Sequence, residues 1–216
     1  MEQKIREFES RKRYVAAIII GTVAFLLIFV ISYSLSYLEL DRVSNFQAET
    51  GYDIFKDKLD YSFFNESVCE ERGFDKVSRD IGFQGRIIDD LEQKLGKQDE
   101  VVLSRKQFYT LVELEHLEFV NILNRECNKQ INTILFFYSN NKSKIDESEE
   151  AGRILGVVSS RNENLMIYSF DVDLSSDIIQ KLKQKYGITE SPIIVINEKK
   201  KMTVPDNIDE IEVYLK

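Results

Sequence analysis

The sequence predicts an α/β protein in three parts: one membrane-spanning helix, a helical hairpin region, and a domain of order β-α-β-α-β-β-α. Three observations carry that prediction. Tyr14–Leu38 runs for 25 residues without a charge. Residues 67–129 place apolar side chains at helical spacing. From residue 132 onward, short β-branched and aromatic runs alternate with polar segments of helical character. The implied parts are a tail over 1–13, a span over 14–38, a stalk and hairpin over 39–131, and an α/β domain over 132–216.

The span comes first. A helix rises about 1.5 Å per residue, so ~20 apolar residues cross a ~30 Å hydrocarbon core. Tyr14–Ile31 alone (YVAAIIIGTVAFLLIFVI) nearly does so. A helix is the only comfortable form in lipid, because it satisfies its backbone polar groups within the segment. Lys4, Arg6, Arg11, Lys12 and Arg13 precede it, whereas Arg42 is the only basic residue in 39–53. That asymmetry predicts a cytoplasmic N-terminus and an extracytoplasmic 39–216, with the cell membrane as location. Tyr33 and Tyr37 suit the outer interface. A cleaved signal peptide is the rival, since Ser32, Ser34 and Ser36 supply small residues. Its apolar region would be only ~7–15 residues, so an uncleaved anchor is favoured.

Charge narrows the partners. The chain has 29 basic and 37 acidic residues, and 24 and 34 of them lie beyond residue 38. An acidic outer part argues against nucleic acid and against adhesion to an anionic membrane surface. The partner predicted directly is the lipid bilayer around Tyr14–Leu38; a protein partner has no signature.

Residues 39–66 are polar with scattered aromatics and read as a stalk, weakly broken at Gly51. Residues 67–95 read as helical. Ile87, Ile88, Leu91 and Leu95 make one face, and Gly96 is a natural stop. A second helix is predicted over about Val101–Lys129. Val112, His116, Phe119, Val120, Leu123 and Cys127 share a face, widened by Leu103, Leu111, Leu114 and Leu117. Two amphipathic helices with a short connection predict an antiparallel hairpin. Cys69 and Cys127 would pair in an oxidising compartment and staple its base. Closing that loop would stabilise by about 4 kcal/mol in the chain-entropy model. Two buried free thiols are the alternative. Neither cysteine belongs to a CxxC or CxxH arrangement, so no zinc site is predicted. His116, the single histidine, reads as a residue of the core edge rather than a ligand or a proton carrier.

The last part begins with a buried strand, Thr133–Ser139. A helix follows over Asp146–Ser160, whose first turn carries negative charge that suits the helix dipole. Asn164–Asp173 is a second strand. Ser175–Tyr186 is a helix capped by Ser175 and stopped by Gly187. Pro192–Asn197 and Met202–Val204 are strands joined by a turn at 198–201. Asp206–Leu215 is a closing helix with Asp206 as its cap. Alternating strands and helices predict a mainly parallel sheet, and the late turn predicts a terminal hairpin.

This order resembles the thioredoxin fold. In Thr189-Glu190-Ser191-Pro192 a proline opens the strand before the hairpin, where that family holds a cis-proline facing its active site. The strand ending Phe136-Phe137-Tyr138-Ser139 stands where the family runs into its catalytic loop. More closely, the chain resembles membrane-anchored archaeal proteins of thioredoxin-like type, which carry a segment like FYSN…CxxCEEQG. Here the text is FYSNNKSKIDESEEAGRIL, so Glu149-Glu150-Ala151-Gly152 matches EEQG. The two cysteines of the motif then fall on Ile145 and Ser148. Thiol–disulfide exchange needs an attacking thiolate and a resolving thiol at one helix N-terminus. Isoleucine and serine supply neither. The resemblance thus implies the fold without its chemistry, leaving a vestigial surface at Ile145, Ser148 and Pro192.

Other signals are weaker. Asn65-Glu66-Ser67 and Asn141-Lys142-Ser143 are glycosylation sequons if they face outward. Asp171 and Asp173 end a strand, where solvation in a loop is favoured over cation binding. No Gly-rich phosphate loop, G-x-S-x-G or paired histidines are present, and no cofactor or metal is predicted. The function expected is a membrane-tethered binding or assembly module without redox activity. One alternative is an oxidoreductase using Cys69 and Cys127 as a non-local dithiol. Another is an envelope structural protein that associates through its helices. The orientation is directly testable: protease added to intact cells should remove residues beyond about 45 and spare the tail. A protected C-terminus beside a cleaved N-terminus would reverse the assignment.

Overall fold

The computed structural model describes residues 14–34, 51–52, 55–56, 69 and 74–215. The chain divides into two units, 1–46 and 47–216, each taken by itself. The first unit is represented by α1 (Tyr14–Ser34), a 21-residue helix long and apolar enough to cross a membrane. Its side chains are exposed along its whole length. Residues 35–38 of the expected span, the basic flank, and Asn65 lie outside the described residues, as does nearly all of the expected stalk.

The second unit starts with two helices. α2 (Phe74–Leu95) ends before Gly96, and α3 (Glu100–Glu126) follows its N-cap, Asp99. Gly96 takes φ +96°, which a side chain would oppose. Asp99 then caps α3 by accepting from the Val101 N–H at 2.8 Å. The expected hairpin is present. Val77 and Ile81 of α2 pack on Val112, and Phe74 packs on Val120 and Leu123. A Cβ on Gly85 would lie 3.0 Å from the Tyr109 hydroxyl, so glycine permits the close approach there. Cys69 and Cys127 are joined in a disulfide with their Cα atoms 5.4 Å apart. The bond ties the chain before α2 to the residue that ends α3. Leu111, expected on the apolar face, is instead 47% exposed.

The sheet has four strands in the order β2-β1-β3-β4. They are β1 (Asn132–Tyr138), β2 (Leu165–Asp171), β3 (Ile193–Ile196) and β4 (Lys200–Met202). α4 (Ile145–Arg161) joins β1 to β2, and α5 (Asp177–Tyr186) joins β2 to β3. A four-residue α6 (Asp209–Glu212) closes the chain. The element order expected from the sequence is therefore present. The expected mainly parallel pairing is not, because only β1–β2 is parallel. β3 runs antiparallel to β1, and β4 antiparallel to β3. The register gives the reason. Phe137 pairs with Phe170 near the end of β2 and with Ile193 at the start of β3. The connection through α5 leaves and re-enters at the same end of the sheet, so it need not return along a strand.

Two apolar layers cover the sheet. Leu135, Phe137, Tyr168 and Phe170 face Ile179 and Leu182 of α5, with Leu117 of α3 joining them. Ile134, Phe136, Ile194 and Ile196 face Ala151, Leu155 and Val158 of α4 and Ile211 of α6. The alternation of these residues along β1 and β3 is the period-2 pattern of a sheet buried on both faces. Some termini differ from expectation. Gly187 does end α5, at φ +59°. Ser176 rather than Ser175 opens it, without a side-chain cap bond. Asp206 does not cap α6; the Asn207 Oδ1 accepts the Glu210 N–H instead. The Ser191–Pro192 bond is cis.

The disulfide yields a stability prediction. Cys127→Ser should lower unfolding stability of the full chain in micelles by roughly 2–5 kcal/mol, measured in guanidinium. An unchanged midpoint would mean that helix packing alone fixes the base of the hairpin.

Candidate functional site

Ile145 is the first residue of α4, half-buried, and Ser148 is buried one turn later. The Ser148 hydroxyl is engaged: its Oγ accepts the Ser139 N–H at 3.1 Å. The intervening loop is held by Asp173. Its Oδ2 accepts the Ser139 hydroxyl at 2.7 Å and the Asn140 N–H at 2.8 Å. Its Oδ1 accepts the Asn141 amide at 3.3 Å. Asn141 is itself exposed, so the sequon there is open at the surface.

Pro192 lies beside the start of α4, in a cleft of about 420 Å³. The cleft is lined by Lys144, Glu147, Glu150, Glu190 and Asp206 together with the proline. Ile145 and Ser148 do not line it. Residues 147 and 150 are three apart and share a helix face, whereas 145 and 148 share a face turned away from it by about 160°. Pro192 thus lies at the N-terminal end of α4 and faces a mostly acidic surface. Lys144 and Glu147 pair across one turn at 2.9 Å.

A second cluster has no counterpart among the sequence motifs. On α3, Lys106, Thr110, Glu113 and His116 are all buried. Lys106 pairs with Glu92 of α2 and, at 2.7 Å, with Asp171 of β2. Its ammonium also lies 5.3 Å from the centre of the Tyr138 ring. One Glu113 oxygen accepts the Ser169 N–H at 2.7 Å. His116 Nδ1 is 2.8 Å from the Tyr168 hydroxyl and Nε2 is 3.0 Å from the Ser78 hydroxyl. Phe74 stacks on its ring. Three polar side chains of α3 therefore bond to β2 in succession. The sequence predicts a solvated loop position for Asp171 and a core-edge position for His116. Instead Asp171 is 4% exposed and His116 1%. The reason is that α3 packs along β2, which no local pattern announces. The available signal was Lys106 and Glu113 recurring at helical spacing with Val102, Leu117 and Val120.

A cavity of about 120 Å³ adjoins the cluster, lined by Asp89, Lys106, Tyr109, Thr110, Ser169 and Asp171 among others. Burial, then the neighbouring Glu92, raises the Asp89 pKa. Burial raises that of Glu113 well above the ordinary carboxylate value. Burial lowers that of His116 from 6.5 to about 4. Lys106, His116 and one oxygen of Glu113 are engaged by α2 or β2 and so tie these elements together, while the second Glu113 oxygen and the Gln84 amide are buried without a hydrogen-bond partner. No group of three or more His, Cys, Asp or Glu among the described residues is placed to hold a metal ion. No protein-family model matches the chain, and no curated protein matches its sequence.

The two shifts act on stability with opposite sign. For His116 the unfolded chain takes up its proton at higher pH than the folded one. Its contribution is complete above about pH 6.5 and is lost as pH falls toward 4. For Glu113 the folded chain takes up the proton first, so its contribution is complete below about pH 4.5 and is lost as pH rises through the raised value. Glu113→Gln keeps an acceptor for the Ser169 N–H without a charge to bury. It should raise the urea midpoint at pH 7.5, with the gain shrinking toward pH 4.5. A lower midpoint at both values would show that the ionised carboxylate is favourably held.

Proposed function

We propose that this chain is a membrane-tethered, extracytoplasmic binding or assembly module built on a thioredoxin-like domain that lacks redox chemistry. The observation that carries the reading is the disposition of sulfur. Both cysteines of the chain are spent in the hairpin disulfide, while α4 opens with Ile145 and Ser148. Three features support the thioredoxin-like assignment: the strand order with one parallel and two antiparallel pairings, the helix that follows β1, and the cis Ser191–Pro192 bond. The apolar α1 supports the tether, and the basic residues before it support the orientation. The surface beside Pro192 is where a protein partner would dock, and the acidic lining there favours a basic segment of that partner.

A redox assay and a cross-linking assay test the reading together. The full chain in micelles should not reduce insulin or reoxidise a scrambled substrate above background between pH 6 and 8. Ile145→Cys with Ser148→Cys should form an internal disulfide, since two residues in the first turn of a helix can meet the ~4.4–6.8 Å Cα spacing of such bonds. A photoreactive residue at Glu150 should give protein adducts in native membranes, and one at Lys181 on α5 should not. Wild-type turnover that vanishes in Cys69→Ser would replace the binding reading with an oxidoreductase. Equal labelling at both positions would remove the Pro192 surface from it.

A further inference from the structure

At the other end of β1 from the Pro192 cleft lies a groove of about 650 Å³, within the ~300–1,000 Å³ usual for ligand sites. It gathers the chain after α3, the start of β1, the β3–β4 turn and Tyr214. Side-chain amides dominate it: Asn121, Asn124, Asn128, Gln130, Asn132 and Asn197 all line it. The floor is polar and deep, with Asn132 6% and Thr133 3% exposed.

Two features set the groove apart from a surface crease. The first is backbone conformation. Asn128, Asn197 and Glu198 are the only non-glycine residues with positive φ among the described residues, at 52°, 48° and 54°. All three line this groove. Such conformations cost of order 1–3 kcal/mol each and collect where a ligand is clamped. The second is bracing. Asn197 accepts the Thr133 N–H at 2.9 Å and donates to Asn132 at 3.0 Å and to the Tyr214 carbonyl at 3.2 Å. Asn121 donates to Glu198 at 2.7 Å. Glu198 also accepts from Tyr186 at 2.5 Å and pairs with Lys185 at 3.1 Å. The walls are thereby cross-linked before any ligand arrives.

The chemistry on offer selects the ligand. Main-chain donors at this end are already used: Ile131 N–H goes to Asn124, Asn132 N–H to Asn164, and Asn197 N–H to Thr133. A peptide strand therefore finds no ladder to extend. Asn128 and Gln130 stand outside the bracing, and a primary amide carries two donors and an acceptor with two lone pairs, which suits hydroxyl groups that both give and accept. Tyr214 adds a partly exposed ring at one side. Lys199 and Lys200 stand exposed on the rim, the Lys200 ammonium 4.9 Å from the centre of the Tyr214 ring, and Glu198 is paired with Lys185. The groove is thus locally cationic on a chain of net charge −8. We propose that it binds an acidic oligosaccharide, its hydroxyls on the amides and its carboxylates on the rim lysines. This site is separate from the Pro192 surface and does not depend on it.

Calorimetry on the full chain in lipid nanodiscs tests the assignment with three probes: tetragalacturonate, the neutral maltotetraose, and tetraglutamate. Tetragalacturonate should bind, more weakly as salt rises, and the other two at least about tenfold more weakly. Lys199→Gln with Lys200→Gln should reduce that binding and its salt dependence. Asn128→Gly keeps the positive φ and deletes the amide, so it should weaken binding while leaving the melting temperature in place. No heat with tetragalacturonate would overturn the proposal. Tetraglutamate binding as well would reduce the groove to a charge patch, and maltotetraose binding as well would remove the role of the lysines; either outcome overturns the acidic-oligosaccharide assignment. Asn128→Gly binding unchanged would overturn the role of the amides.

Discussion

The packing of α3 along β2 is the constraint on which the rest of the folded unit depends. β2 is an edge strand, with β1 on one side only. An edge strand presents unpaired backbone groups that invite other chains, and covering it with a helix is one remedy. Here the cover is chemical as well as steric. The Glu113 carboxyl takes the Ser169 N–H, His116 meets the Tyr168 hydroxyl, and Lys106 pairs with Asp171. Each is a buried polar contact, so each would be costly if left alone. Together they admit one register of helix against strand. Apolar packing by Leu117 on one side and by Phe74, Val120 and Leu123 beyond it then supplies the non-directional attraction.

That seam reaches the loop before α4. Asp171 receives the Lys106 ammonium and the Asn140 amide on the same oxygen. Asp173, two residues on, fixes Ser139 and Asn140. The helical hairpin and the loop are thus linked through two acidic residues, Asp171 at the end of β2 and Asp173 just beyond it. A buried ion pair is weak evidence of net stability, because desolvation offsets much of its attraction. Its value here is orientation: it sets where β1 ends and where α4 begins, and so how Pro192 meets Glu147 and Glu150.

The two surfaces of the α/β domain sit at opposite ends of β1 and are built differently. At the Pro192 end most of the charged side chains are exposed. At the amide end the side chains are braced against one another, as befits a groove of fixed shape.

Much of this was legible along the chain. Periodicity located the hairpin, α4 and α5, because a face at 3.6-residue spacing has a single sensible use. Runs such as Thr133–Ser139 located β1, since β-branched and aromatic residues fit a pleated, buried surface. Gly96 and Gly187 marked helix ends through their freedom at positive φ. The single long uncharged run determined α1 by length and hydrophobicity alone. Tertiary structure alone decided the rest. The direction of β3 depends on which end of the sheet α5 returns to, and local sequence does not record that. The burial of Lys106, Glu113, His116 and Asp171 depends on partners 52 to 65 residues away. The groove near Asn132 is likewise assembled from segments that meet only when the sheet closes. Local pattern encodes how each segment bends and which face is apolar; which segments then touch is set by packing, and the sites arise where they touch.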